Sequence, residues 1–455
     1  MSRFDAWLAD GREVSVAGLG LSGAAVVGLL ARRGIHVYAS DSAAASGPLV
    51  VPGLKTPLPR SATIEYGRHD LARIARSVAL VVSPGIPPTA PVVAAARANG
   101  VTVVAEAQLG LDAMPGVPYI AVTGTNGKTT TTAMLDHVMR SGGRRSIAAG
   151  NIGTPVSAVA LDASVPEWIA LELSSFQLHD MPDVRPAVGV LTNLAPDHLD
   201  RYPTTAEYFA DKARLFANAD SGSVWVSNFD DPESRRMLCD VSGAQHRFST
   251  ARGTTADGWY DHDRRRLMIG GRALLDRDLL PLLGDHNVAN ALAASLALFA
   301  AGMTLDQIGS GLMTFAPLAH RMEPIRTLDA VEWINDSKAT NVASTLVAVQ
   351  GMAKPFVLLL GGRHKGEPYV GLAESLAAHC IAVIAYGEAQ DLIIRDLAGT
   401  VPVVAAGTFA DVMRQARNLA PEGGAVLLSP ACSSYDMFDN YGQRGAAFRS
   451  TVEGW

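Results

Sequence analysis

Cysteine is scarce: only Cys239, Cys380 and Cys432 occur in 455 residues, far apart and in neither a zinc-ligand nor a CxxC spacing. That excludes a disulfide-stapled scaffold and a cysteine metal site, and it points to a reducing compartment. Long apolar runs are missing too; none approaches the roughly 18 residues that a membrane span requires. Nor is there a run of like charge. With 38 Lys+Arg against 44 Asp+Glu and a formal net charge of −6, the chain has no excess of the basic residues with which a protein grips a phosphate backbone. The opening MSRFDAWLADGREV lacks the pattern of a secretory signal. A cytoplasmic protein with no nucleic-acid or membrane partner is therefore expected. Apolar residues make up 48% and charged residues 18%, the balance of a folded chain. At about 150 residues per domain, the length suggests three domains.

Short apolar strands alternate with helical patterns along almost the whole chain, which predicts an α/β protein built on parallel sheets. The first segment offers EVSVAG, HVYAS, ALVVS and VTVVA; prolines and a glycine in LDAMPGVPYIAVTG place a boundary near residue 115. The second offers YIAVTG, WIALELS, AVGVLTN and SVWVSN, then the alanine-rich helix NVANALAASLALFAAG, and ends near FAPLAHRM. VEWIN, FVLLLGG, IAVIAYG, VPVVAA and AVLLSP give the third. The expected division is 1–115, 116–318 and 319–455: a Rossmann-like domain, a central P-loop ATPase-like parallel-sheet domain and a second Rossmann-like domain.

The stretch VTGTNGKTTTT at 122–132 is nearly a phosphate loop. It ends Gly-Lys-Thr, but Val122 stands where G-x-x-x-x-G-K-[ST] has its first glycine. Strand, glycine turn and helix in that order aim backbone N–H groups at an anion, with the helix dipole adding to the pull. Lys128 would reach the β- and γ-phosphates of ATP, and the Thr129 hydroxyl would ligate Mg²⁺. In open α/β sheets ligands sit beyond the carboxyl ends of strands. Glu172, in the otherwise apolar WIALELS, is either a Mg²⁺ ligand or an exposed strand end, because an unpaired buried carboxylate is costly. GVLTNLAPDHLD offers Asp197, His198 and Asp200 after its strand. In TTAEYFADKARLFAN, Thr204 and Glu207 form a capping box. Lys212 on that helix shares the face of Tyr208, Leu215 and Phe216, so its ammonium either snorkels out or has a task. A second glycine turn, GLGLSG at 18–23, followed by Asp41 at the end of the next strand, fits a dinucleotide fingerprint. That motif specifies a pyrophosphate at a helix N-terminus, not a nicotinamide.

Taken together, GLGLSG, SPGI, GTNGKT, GNIG, ELSSFQL, DHLDRYP, HNVAN, HRME, NDSKATN, LLGGRHK and SPACSSYDMF span the chain and resemble the Mur ligases, which add amino acids to the UDP-linked peptidoglycan precursor. GTNGKT alone also fits folylpolyglutamate synthases; its combination with NDSKATN and SPACSSYDMF is far more specific. The resemblance accounts for Val122, since these ligases use the shorter loop. It implies ATP on Gly124, Thr125, Asn126, Gly127, Lys128, Thr129 and Thr130, with Asn287 and Asn290 near adenine and Arg321 and Asp336 reaching ATP from the hinge and the third domain. It implies two Mg²⁺ ions, with Glu172 and His198 as ligands beside Thr129, and a carbamate on Lys212 that turns a cation into an anion able to orient the second ion. In the first domain it implies UDP rather than NAD: Leu21, Ser22, Asp41 and Ser42 on the uracil side, Gly85 near the diphosphate, and Asn151 facing the sugar-peptide. Thr340, Lys365 and Ser434 are implied to hold the carboxylates of an incoming glutamate. A dianion calls for a cation and hydroxyl donors, which is consistent. Tyr435 and Tyr441 depart from the leucine and phenylalanine of the pattern and bear on the pocket's specificity.

The implied reaction joins D-glutamate to UDP-N-acetylmuramoyl-L-alanine. The alanine carboxylate takes the γ-phosphoryl group of ATP, and the glutamate amine then displaces phosphate from the acyl phosphate. Lys128, His198 and Lys212 are the implied catalytic residues, and a monomer is expected. The sequence leaves the handedness of glutamate open. Rivals are the same chemistry with L-glutamate or another amino acid, a dehydrogenase read from GLGLSG, and an ATP-gated UDP-sugar binding protein.

Overall fold

In the computed structural model, residues 2–44, 61–198, 201–282 and 284–455 are described; Asp200 lies outside them. Three sheets organise the chain. The first contains β1 (Val14–Ala17), β2 (Val37–Asp41), β3 (Ala62–Tyr66), β4 (Ala79–Val82) and β5 (Thr102–Ala105), all parallel, in the order β3-β2-β1-β4-β5. VSVA and ALVV are buried on both faces, as central parallel strands must be. The order reverses between β1 and β4, so the crevice of a doubly wound sheet opens where GLGLSG leaves β1.

The second sheet contains β6 (Tyr119–Thr123), β7 (Ser146–Gly150), β8 (Trp168–Glu172), β9 (Val188–Leu191), β10 (Val224–Asn228), β11 (Ala244–Ser249), β12 (Gly258–Asp261), β13 (Arg266–Ile269) and β14 (Arg272–Asp276). Its order is β14-β13-β12-β11-β10-β9-β6-β8-β7, parallel except for the antiparallel β12-β13-β14 margin. The strand that feeds the phosphate loop, β6, lies between β8 and β9, so the ends of those two strands flank the loop. The third sheet runs β15 (Glu323–Leu328), β16 (Val331–Asn335), β17 (Phe356–Gly361), β18 (Cys380–Tyr386), β19 (Val403–Ala406) and β20 (Ala425–Leu428), ordered β15-β16-β20-β17-β18-β19. Only β15-β16 is antiparallel. FVLLLG in β17 is buried throughout, which explains its unbroken apolar run.

The chain forms two compact units. One comprises residues 1–194, 206–277 and 289–313 and contains the first two sheets; the other comprises 195–205, 278–288 and 314–455. Inside the first unit, the two sheets are joined through the helices Glu106–Asp112 and Val156–Leu161, where a Cβ on Gly110 would lie 2.5 Å from the Val156 carbonyl carbon. Glu106, 1% exposed, accepts the Ser157 amide at 2.6 Å in the first turn of the facing helix. Among the described residues no helix is long and apolar enough to cross a membrane, and all three cysteines are free.

Candidate functional site

The phosphate loop is built by close approach. Gly124 has φ 142°, and a Cβ there would fall 2.0 Å from the Thr192 hydroxyl. Gly127, the N-cap of the helix Lys128–Ser141, has φ 82° in the left-handed region, and its Cβ would meet Asn290 Oδ1 at 2.3 Å. The residues after β9 lace the loop down. Thr125 N donates to Asn193 O at 2.8 Å, Asn126 N to Asn193 Oδ1 at 3.0 Å, and Thr192 Oγ1 to Asn126 O at 2.6 Å. Lys128 folds back so that Nζ donates to the carbonyls of Gly124 and Thr125, at 2.9 and 2.8 Å. Thr129 is half-buried at the first turn, and Thr130 is buried behind it. Asn290 adjoins the loop itself: Thr131 Oγ1 donates to its Oδ1 at 3.4 Å.

Lys212 is 1% exposed. Its Nζ donates to Gly124 O at 2.7 Å and lies 4.7 Å from the centre of the Tyr208 ring, while Tyr208 Oη donates to Thr125 Oγ1 at 3.3 Å. The helix begins at Thr205, directly after Thr204, and tightens to 3₁₀ geometry over Arg214–Phe216. Lys212 does not snorkel; its terminus is held at the loop. Glu172, at the end of β8, is 2% exposed and not an exposed strand end. One of its oxygens accepts the Asn151 side-chain amide at 2.9 Å, and Oε2 is buried with no hydrogen-bond partner. That spare buried oxygen suits a cation and is otherwise a cost. Among the described residues no group of three or more His, Cys, Asp or Glu forms a ready-made metal cage. Mg²⁺ needs none, because it binds through one or two carboxylates plus phosphate oxygens and water.

In the first sheet, Gly23 is required by packing, since a Cβ would meet Gly18 O at 1.7 Å. Asp41 accepts the amides of Leu19 (2.7 Å) and Ala43 (2.9 Å), bracing the glycine turn. Leu21 is 67% exposed; Ser42 and Gly85 are also exposed and Ser22 half-buried, leaving this rim open to a ligand.

The second unit gathers three of the sequence motifs. Arg444, 1% exposed, donates from Nε to Ser337 Oγ (3.0 Å) and from Nη2 to the carbonyls of Ser337 (2.9 Å) and Cys432 (3.1 Å), with Nη1 near the carbonyls of Gly361 and Ser433. One guanidinium thus ties NDSKATN, LGGRHK and SPACSS together. Reciprocal amide–carbonyl bonds between Arg363 and Ser433 close the second join. Thr340 is half-buried, Ser434 is 2% exposed and Tyr435 is 64% exposed. Tyr441 is 36% exposed, with Lys338 Nζ 3.8 Å from its ring centre.

Asp197, offered by the sequence beside His198 but given no role there, is central here. Its Oδ2 accepts the Asn341 amide at 2.9 Å; its Oδ1 accepts the His198 amide at 2.8 Å and lies 3.7 Å from Lys365 Nζ. Burial pushes its carboxyl up, but Lys365, His198 and the Asn341 bond outweigh that and hold it below the usual range. His198 itself sits at φ 55° with a side chain 32% exposed. Asp336 accepts Ser429 Oγ (2.8 Å) and the Met322 amide (3.2 Å), and burial raises its carboxyl to about 7, with Arg321 opposing. Both Asp336 oxygens are thus engaged within this unit, while Arg321 is half-buried and Asn287 buried.

Comparison with known proteins follows the three sheets. Residues 12–105 match the model of the Mur ligase MurD-like N-terminal domain, 122–298 the Mur ligase middle domain, and 320–432 the Mur ligase glutamate ligase domain. The chain belongs to the Mur ligase family. It is 38% identical, over 453 residues and 98% of each chain, to the UDP-N-acetylmuramoylalanine–D-glutamate ligase of Myxococcus xanthus. Among solved structures, it is similar to the UDP-N-acetylmuramate–alanine ligase of Thermotoga maritima (TM-score 0.62, 16% identity, 97% of this chain and 99% of that one). The MurF ligase of Thermotoga maritima in complex with ADP also matches (TM-score 0.60, 15% identity, 98% and 96%). These two structures establish the three-domain α/β fold.

Proposed function

We infer that the chain is an ATP-dependent ligase that joins the amine of D-glutamate to the alanine carboxylate of UDP-N-acetylmuramoyl-L-alanine through an acyl phosphate, a cytoplasmic step of peptidoglycan precursor synthesis. The observation that carries this reading is the full-length similarity to an enzyme named for that reaction. The family assignment sets aside the dehydrogenase reading of GLGLSG.

The loop Gly124–Thr130 cradles the phosphates, and Lys128, now held on two loop carbonyls, swings to the β- and γ-phosphates. Glu172, Thr129 and His198 serve as metal ligands, with a carbamate on Lys212 as the further anion. The spare buried Glu172 oxygen and the burial of Lys212 at the loop are what support this. Bound there, Mg²⁺ supplies charge neutralisation for phosphoryl transfer. Asn287, Asn290, Arg321 and Asp336 are the adenine- and ATP-side residues. The rim of the first sheet (Leu21, Ser22, Asp41, Ser42 and Gly85) takes UDP, and Asn151 takes the sugar-peptide. Thr340, Lys365 and Ser434 bind the glutamate carboxylates, and Tyr435 and Tyr441 shape that pocket. Much of the acceleration comes from positioning the reactants and stabilising charge as it develops. Mass spectrometry of a reaction with ATP, Mg²⁺, UDP-N-acetylmuramoyl-L-alanine and D-glutamate tests the reading. It is expected to show ADP and the UDP-sugar lengthened by one glutamyl residue; unchanged UDP-sugar refutes it.

A further inference from the structure

Glutamate brings two carboxylates and an ammonium, and the residues assigned to it so far, Thr340, Lys365 and Ser434, serve only the carboxylates. Something must accept from the nitrogen. Two carboxylates belong to the Lys365 neighbourhood. Asp197 has both oxygens engaged, Oδ2 by Asn341 and Oδ1 by the His198 amide and Lys365. Glu367, two residues beyond Lys365, differs. Its Oε2 accepts the Val342 amide at 3.1 Å, in the first turn of the helix Val342–Gln350, whose N-cap Asn341 accepts the Ser344 amide at 2.8 Å. The second oxygen, Oε1, is buried with no hydrogen-bond partner. Glu367 thereby clamps the Lys365 loop to the helix that follows Thr340 and still has one oxygen to offer.

We propose that Glu367 receives the ammonium of the incoming amino acid on its spare oxygen and takes the proton that this nitrogen must lose before it attacks the acyl carbon. The inference rests on the ligase reading. The carboxylate accepts one proton from the ammonium and becomes a carboxylic acid. The free amine then adds to the acyl carbon and the C–O bond to phosphate breaks. The nitrogen's second proton leaves on the phosphate, and Glu367 later returns its own to solvent. Burial, and then the neighbouring negative Asp197, raise the Glu367 carboxyl to about 7, with Lys365 opposing. The charged or titratable groups around it are Asp197, Lys365 and the Tyr369 hydroxyl, which is itself engaged with Cys432 at 2.9 Å. A base near neutrality suits proton transfer at the working pH.

The test separates the two half-reactions in Glu367→Gln and Glu367→Ala. Hydroxylamine trapping reads acyl-phosphate formation, which needs no glutamate; amide formation is followed from pH 5.5 to 9. Wild type is expected to gain kcat/KM for glutamate as pH rises to about 7 and then to level. Both variants are expected to keep acyl-phosphate formation and lose amide formation by about 100-fold or more, with the residual rate still climbing toward the pKa of the free amine. Glutamine retains an acceptor for the Val342 amide. A Gln variant with wild-type rate and profile, with only Ala impaired, would make Glu367 a mere clamp and overturn the proposal. So would loss of acyl-phosphate formation in both variants. If wild type forms neither acyl phosphate nor amide, the ligase reading itself falls.

Discussion

Replacing Glu172 by glutamine separates stability from ligand binding. In the wild type one Glu172 oxygen accepts the Asn151 amide at 2.9 Å, and the other is buried without a partner. A buried polar atom left unsatisfied costs about 1–3 kcal/mol, and a charged one lies at the upper end. Glutamine keeps an oxygen for Asn151 and removes the charge, so the ligand-free variant is expected to be at least as stable as wild type. Addition of Mg·ATP should stabilise wild type more than the variant. At about 100 times its Kd the ligand stabilises wild type by about 2.7 kcal/mol. If losing the carboxylate weakens binding about 100-fold, the variant gains only about 0.4 kcal/mol at the same concentration. Thermal unfolding with and without Mg·ATP reads this directly as the ligand-induced shift in midpoint. Equal shifts in both proteins would refute the assignment of Glu172 to the metal.

Gly124→Ala places a Cβ 2.0 Å from the Thr192 hydroxyl and should cut ATP-dependent turnover at least 100-fold with little change in UDP-sugar affinity, measured by calorimetry; unchanged turnover would contradict the loop geometry. Lys212→Ala removes the terminus held on Gly124 O and should abolish activity without rescue by bicarbonate; full activity would refute its role. Glu106, raised to about 7 by burial despite the Ser157 bonds, should make the fold lose stability as pH rises from about 4.5 through 7, since the unfolded chain ionises first. Glu106→Gln should remove that slope, about 3 kcal/mol in full, and leave the variant the more stable protein at pH 8 in urea titrations. Arg444→Met strips the donors from three loops and should destabilise the second unit by about 3–5 kcal/mol, visible as earlier unfolding of that unit by hydrogen exchange.

Every strand read from an apolar run is present, from EVSVAG to AVLLSP; most are central parallel strands, buried on both faces and so carrying unbroken apolar sequence, while the edge strands β5 and β19 were read from their valines and alanines. Most strands that escaped are marginal; the exception is β11, AQHRFS, which pairs on both sides between β10 and β12 but whose glutamine, histidine and arginine give no apolar run. ATIEY in β3 and SIAAG in β7 lie at sheet edges and are mostly half-buried. WYD, RLMI and RALLD in β12–β14 alternate with arginine and aspartate, and β15 contains Pro324. The motif residues of the phosphate loop were legible because local order alone, strand then glycine turn then helix, implies their task. Lys212 was half legible: helical spacing put it on the apolar face but could not say what it meets there. Asp197, Asn341, Glu367 and Arg444 acquire their roles only through partners far along the chain. Asn341 and Asp197 are 144 residues apart, and Arg444 and Ser337 are 107. No periodicity records such a meeting. One cue was available: an arginine amid the small residues of YGQRGAAF needs acceptors if that face is buried.

Phosphate release from ATP, with Mg²⁺ and UDP-N-acetylmuramoyl-L-alanine, compared with D-glutamate, L-glutamate and no amino acid, tests the central claim most directly. The account predicts sustained release with D-glutamate alone. Release with L-glutamate instead would keep the chemistry but contradict the assigned substrate, and no release with any amino acid would contradict the ligase itself.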